Sequence, residues 1–139
     1  MIPVVAKQKI SIIHNCIQQI KLTTNMDPSM LDSQLIQDAF VLNVQRSVQA
    51  TIDLASWVCK NKKLGIPDTY RKSFELLFEN KLIDEAMYAS LKSMCGFRNI
   101  AIHEYRKLNK EILKAILSKH LIDLELFYKV ILHHYDQEK

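Results

Sequence analysis

The sequence predicts an all-α protein, a bundle of four long helices and one short helix. Apolar residues recur at spacings of three and four along most of the 139 residues, which is typical of helices with a buried face. Two glycines and three prolines leave few places for turns, so long helices are favoured. No glycine-rich strand signal, internal repeat or low-complexity tract interrupts this pattern.

The first helix is predicted from Val4 to Thr24 and the second from about Ser29 to Lys62, with a break at Pro28. The first carries one apolar stripe, formed by Ile10, Ile13, Ile17 and Ile20. The second is apolar on two faces: Val41, Val44, Val48, Ile52, Ala55 and Cys59 mark one, and Leu35, Ala39 and Leu42 begin the other. In a chain this small, a helix that needs burial on more than one side indicates a partner subunit.

Residues that favour helix ends mark the later segments. Gly65 is predicted to stop the second helix, since glycine readily adopts the left-handed conformation. Candidate capping residues precede each following helix: Asp68 or Thr69 before a short helix that ends near Lys81, Asp84 before the fourth, and Asn109 before the last, which runs to about Tyr135.

Length and charge narrow the class of protein. A chain of 139 residues predicts a single domain, residues 1–139, whose core needs no metal or disulfide. The net charge of +4 permits a polyanionic partner without requiring one. Lys7 and Lys9 interrupt any signal-peptide core, and no apolar run approaches the ~18 residues of a membrane span. Three cysteines cannot all pair within one chain. Taken with the interrupted signal-peptide core and the lack of a long apolar run, this leads us to expect reduced thiols, a cytoplasmic protein and no membrane partner.

The densest group of chemically active side chains lies in the eight residues from Arg98 to Tyr105, which also hold Asn99 and His103. An arginine is always charged and can grip a phosphate with two parallel N–H bonds. A histidine titrates near neutrality and can give or take a proton. The tyrosine hydroxyl is a hydrogen-bond partner and a possible acceptor for covalent modification. Together these groups suit chemistry on a phosphodiester.

The spacing of these residues bears on how one site could form. At about 100° per residue, Arg98 and Tyr105 nearly superimpose on a regular helix, whereas Arg98 and His103 differ by about 140°. Either the helix loosens near His103, or the site is built across a two-fold axis with each chain contributing groups. Gly96 could allow a second backbone to approach closely, and the two apolar faces of the second helix favour the dimer.

A polar stripe on the second helix contains Asn43, Arg46, Gln49 and Asp53, of which the last three share one face. Two interpretations stay open. The stripe is a solvated face with local pairing, or Arg46 forms a second cationic wall of the active cleft.

The residues Arg98, His103 and Tyr105 form an R-x4-H-x-Y pattern that resembles the HepT-like toxins, a branch of the HEPN ribonucleases. The resemblance extends through residues 37–46, 53–55, 64–67 and 73–77, and so spans most of the chain.

The resemblance implies a HEPN-type bundle that works as a two-fold homodimer and is the toxin of a type VII-like toxin–antitoxin pair. It implies metal-independent endoribonuclease activity without a cofactor, in which the RNA 2′-hydroxyl attacks the adjacent phosphorus and leaves a 2′,3′-cyclic phosphate. His103 would be the general acid or base, Arg98 would hold the phosphate, and Asn99 would be a supporting residue that orients the phosphate or His103. A partner minimal nucleotidyltransferase (MntA-like antitoxin) would attach AMP to Tyr105 and so neutralise the toxin.

An alternative from another class is a non-catalytic helical module or scaffold that uses Arg98 and Arg46 to hold a nucleotide or RNA. The intact R-x4-H pattern argues for the enzyme, because binding alone needs the arginine but not His103.

Overall fold

A computed structural model describes residues 2–137, apart from the Lys107 side chain. Helices make up the regular structure of these residues, and no strand occurs among them. The helices are, in chain order, α1 (Val4–Thr24), α2 (Gln34–Asn61), α3 (Tyr70–Glu79), α4 (Glu85–His103), α5 (Lys110–Ala115) and α6 (Leu121–Asp136). The predicted all-α fold is confirmed. Met1, Glu138 and Lys139, which the predicted domain includes, lie outside the described residues.

The start of α2 differs from the prediction, whereas both ends of α1 agree with it. Pro28–Asp32 forms a 3-10 turn, in which Asp27 accepts a hydrogen bond from the Ser29 N–H at 3.0 Å. Ser33 then caps α2 by accepting from the Ile36 N–H at 3.4 Å. The prediction of a start at Ser29 was wrong because these side chains offer the backbone a turn in place of a helix.

The end of α2 also corrects the sequence prediction. Lys63, not Gly65, adopts the left-handed conformation that stops the helix, with φ 56. The Leu64 N–H donates to the Cys59 carbonyl at 2.9 Å, which satisfies a carbonyl that the helix leaves unpaired. Gly65 has φ 147, a backbone conformation that other residues rarely adopt, so glycine is required there for the loop rather than for the helix end.

The later caps agree with the sequence. Thr69, the second of the two candidates, caps α3 at 3.0 Å, Asp84 caps α4 at 2.8 Å, and Asn109 caps α5 at 2.9 Å. The last predicted helix ends close to Tyr135 but is not uniform, because the π-helical stretch Ile116–His120 separates α5 from α6.

The core lies between α1, α2, α3, α4 and α6 and contains three fully buried phenylalanines, Phe40, Phe74 and Phe127. The rings of Phe74 and Phe127 meet edge to face with centroids 6.1 Å apart, which joins α3 to α6. Five side chains anchor α4 to this core: Leu91, Met94, Cys95, Phe97 and Ala101. Their burial fixes the rotation of α4 and therefore the directions in which its polar residues point.

The second apolar face of α2 is uncovered in the single chain. Leu35 is 81% exposed and Leu42 is 54% exposed.

None of the helices within residues 2–137 is long and apolar enough to cross a bilayer.

Candidate active site

The C-terminal half of α4 carries the predicted site and remains helical to its end. His103 is the last residue of the helix, and the Glu104 N–H donates to the Ile100 carbonyl at 2.7 Å. The helix therefore does not loosen near His103. On a regular helix, Arg98 and His103 project in directions about 140° apart.

Arg98 is held by a chain of two hydrogen bonds. Its Nη1 donates to Asn99 Oδ1 at 3.2 Å, and Asn99 Nδ2 donates to the Tyr70 hydroxyl at 2.7 Å. Tyr70 is the first residue of α3, so the turn capped by Thr69 places its hydroxyl against α4. Asn99 therefore contacts Arg98, whereas its predicted role of orienting the phosphate or His103 stays a prediction, and the contact with Tyr70 was not predicted.

An open polar cavity of about 330 Å³ lies beside this chain. Arg98 lines it together with Tyr70 and with Gln49, Asp53 and Ser56 of α2. Gln49 Nε2 donates to Asp53 Oδ1 at 2.9 Å, so part of the polar stripe on α2 is paired locally. The cavity thus offers a guanidinium, an amide, hydroxyl groups and the carboxylates of Asp53 and Asp68 to an incoming polar ligand.

Arg46 is not brought to this cavity within one chain. It is exposed and lines a smaller cavity of about 110 Å³ between α1 and α2, together with Cys16 and Asn43. A role for Arg46 as a second cationic wall therefore stays a prediction.

His103 is exposed to solvent at the end of α4. Among the described residues, none forms a hydrogen bond or ion pair with its imidazole. Both ring nitrogens are therefore available to exchange a proton with a bound ligand.

Tyr105 does not continue α4, contrary to the regular-helix prediction that it lies above Arg98. Glu104 leaves the helical region with φ −142 and ψ 50, and Tyr105 begins the 3-10 turn Tyr105–Lys107. The Tyr105 hydroxyl donates to Asp38 Oδ1 at 2.5 Å, and Gln34 Nε2 donates to the same oxygen at 2.8 Å. A residue from the start of α2 thus joins the motif, and the sequence gives no periodic signal for it.

These contacts shift the pKa values of Tyr105 and Asp38 in opposite directions. Burial, together with the hydrogen bond and the negative charge of Asp38, raises the pKa of Tyr105 to about 12. The hydrogen bonds from Tyr105 and then Gln34 lower the pKa of the Asp38 carboxyl below its ordinary value. At neutral pH the pair is therefore a protonated phenol donating to an ionised carboxylate.

Cys95, next to the motif, is a buried core residue. Burial raises the pKa of its thiol to about 12, although Arg98 opposes the shift, so the thiol stays protonated. Cys16 and Cys59 are likewise free and buried. No group of three or more potential metal ligands lies together in the described part of the chain.

We expect Tyr105→Phe to raise the pKa of Asp38 towards its ordinary value, because the variant loses the donor that stabilises the carboxylate. A carboxyl-carbon NMR titration measures this, with Asp27, whose pKa is lowered by Ser29, as the internal control. A depressed folded-state pKa stabilises the fold above the unfolded-state pKa, and this stability is lost as pH falls through the folded value. The variant should therefore lose less stability on acidification; an unchanged Asp38 titration would contradict the contact.

Comparisons with known proteins agree with the sequence motif. A family model described as "Ribonuclease HepT-like" matches residues 13–131. The mRNA nuclease HepT of Shewanella oneidensis is 39% identical over 123 residues, which is 88% of this chain and 92% of that protein.

Solved structures share the fold. The tri-AMPylated HEPN toxin of Shewanella oneidensis, in complex with MNT antitoxin, superposes with a TM-score of 0.88 at 38% identity, over 95% of this chain and 99% of that one. YutE, a cytosolic protein of Bacillus subtilis, superposes with a TM-score of 0.81 at 15% identity, over 96% and 90% of the two chains, and shows the fold alone. The resemblance seen in the sequence is confirmed, and the chain belongs to the ribonuclease HepT-like family.

Proposed function

We propose that this protein is the toxin of a type VII-like toxin–antitoxin pair, an endoribonuclease that acts in the cytoplasm without a metal or cofactor. The main support for the proposal is the arrangement of polar side chains on α4. Arg98, oriented by Asn99, lines an open polar cavity, and the exposed His103 follows at the end of the same helix. The family and the mRNA nuclease HepT relative support RNA as the substrate.

The groups of the site suit transfer of a phosphoryl group within RNA. The ribose 2′-oxygen attacks the adjacent phosphorus, the bond to the 5′-oxygen breaks, and a 2′,3′-cyclic phosphate and a free 5′-hydroxyl result. His103 takes the proton from the attacking hydroxyl or gives one to the leaving oxygen. Arg98 stabilises the negative charge that grows on the non-bridging oxygens.

A complete site in this proposal needs two copies of the chain. Because α4 is regular through His103, one chain directs its imidazole and guanidinium about 140° apart. The exposed Leu35 and Leu42 on α2 supply apolar surface that a second copy could cover. We therefore propose a homodimer in which Arg98 of one chain and His103 of the other act on the same phosphate. Within each chain, we propose that residues 1–139 form a single domain around the shared core.

Neutralisation in this proposal acts on Tyr105. The Shewanella toxin is tri-AMPylated and in complex with an MNT antitoxin, and we propose that a minimal nucleotidyltransferase likewise attaches AMP to Tyr105 here. The phenol is 39% exposed and can reach a partner's nucleotide. Each AMP brings a bulky anion within two residues of His103, which would occupy the cleft and repel RNA.

His103→Ala should lower the rate of RNA cleavage by about 10²–10⁴-fold in the presence of a chelator, because proton transfer is lost, while RNA binding is retained. Cleavage is measured on a defined oligonucleotide, with His133→Ala, at another exposed histidine, as the matched control. A single deoxyribose at the cut should abolish cleavage by the wild type. Continued cutting of that substrate would contradict the mechanism, and no cutting by the wild type would favour a non-catalytic module.

Tyr105→Phe should keep most of the cleavage activity but escape the antitoxin, because the acceptor oxygen is absent. Intact mass after incubation with the antitoxin and ATP should show AMP-sized increments on the wild type and none on the variant. Tyr88→Phe, on a tyrosine that stacks on Phe78 away from the motif, is the matched control and should be modified normally. If the antitoxin still silences Tyr105→Phe fully, modification of this residue is not the means of neutralisation.

A further inference from the structure

The hydrogen bond between Tyr105 and Asp38 joins residues 67 positions apart in the sequence. Asp38 lies near the start of α2, and Tyr105 lies in the turn that follows α4. Both side chains are exposed, so a nucleotide held by a partner protein can approach the phenol while the carboxylate stays in contact. The carboxylate is itself held, because Gln34, one helical turn earlier, donates to the same oxygen.

The protonation state of the Tyr105 hydroxyl makes a neighbouring carboxylate useful for its reaction with phosphorus. With its pKa raised to about 12, Tyr105 is almost entirely protonated at neutral pH, and a protonated phenol is a weak nucleophile. A base in hydrogen-bond contact with the phenolic oxygen assists attack on phosphorus by accepting this proton, and Asp38 is the carboxylate in that position. In protein kinases, a carboxylate likewise accepts the proton of the hydroxyl that attacks phosphorus.

We propose that Asp38 is the residue of this chain that positions the Tyr105 hydroxyl and accepts its proton when the first AMP is transferred. The inference rests on the proposed modification of Tyr105. In the step, the phenolic oxygen forms a bond to the α-phosphorus of ATP, the bond from that phosphorus to the bridging oxygen breaks, and pyrophosphate leaves. The phenolic proton passes to Asp38 Oδ1.

The role of Asp38 ends with that step. Once the phenolic oxygen carries AMP, it has no hydrogen to donate, and the new phosphodiester is repelled by the carboxylate. Any further AMP must attach to a hydroxyl of the AMP already present, since the phenolic oxygen is blocked. Loss of Asp38 should therefore slow the first addition selectively.

The test compares the wild type, Asp38→Asn and Asp38→Glu as full-length toxin with the partner nucleotidyltransferase and ATP. Asp38→Asn keeps an oxygen that can accept the hydrogen bond but removes the base. Glu111→Gln, at an exposed carboxylate on α5, is the control with the same change of charge. Intact mass against time gives the rate of the first addition and the number of AMP units on the modified molecules.

We expect Asp38→Asn to lower the maximal rate of the first addition by about 10²–10⁴-fold, the range for loss of a general base. The number of AMP units on those molecules that become modified should match the wild type. Asp38→Glu should recover part of the rate, and Glu111→Gln should behave as the wild type.

Two results would overturn the inference while leaving the modification intact. One is an unchanged first-addition rate in Asp38→Asn. The other is a wild-type maximal rate reached only at a higher partner concentration, which would make Asp38 a docking residue. If the wild type itself gains no AMP on Tyr105, the proposed modification fails, and the role of Asp38 fails with it.

Discussion

Burial of one face of α4 is the constraint on which the rest of the site depends. Five apolar side chains of this helix are held in the core, so its rotation cannot adjust to suit a ligand. Arg98 and Asn99 consequently sit at the partly buried edge, against α2 and α3, and His103 points to solvent. On a regular helix the guanidinium and the imidazole point about 140° apart, and this is the reason for proposing that a second chain completes the site.

Two tyrosine hydroxyls from different parts of the fold organise the polar end of this helix. Tyr70 accepts from Asn99, which accepts from Arg98, so the Arg98 guanidinium is tied to α3 by two hydrogen bonds. Tyr105 instead donates to Asp38 from a turn beyond the helix end. The motif therefore presents a hydrogen-bonded cation at Arg98 and a partly exposed phenol at Tyr105, with the exposed His103 between them.

The parts of the structure that could be predicted are those encoded locally. The helix α1 follows from a single apolar stripe and the break at Pro28, and the caps at Thr69, Asp84 and Asn109 follow from short polar side chains before helical runs. The left-handed residue at Lys63 could not be predicted, because a glycine stands two residues later and propensity favours it.

The contacts of Tyr70 and Asp38 with the motif lay equally beyond prediction. Each joins segments 29 or more residues apart, and only the packed bundle brings them together.

Whether two chains share each site is tested most directly by pairing Arg98→Ala with His103→Ala in one dimer, purified through two different tags. A site shared across the two-fold axis predicts about half of the wild-type activity, since one of the two sites in each mixed dimer is intact. A mixed dimer as inactive as either variant alone would contradict the claim.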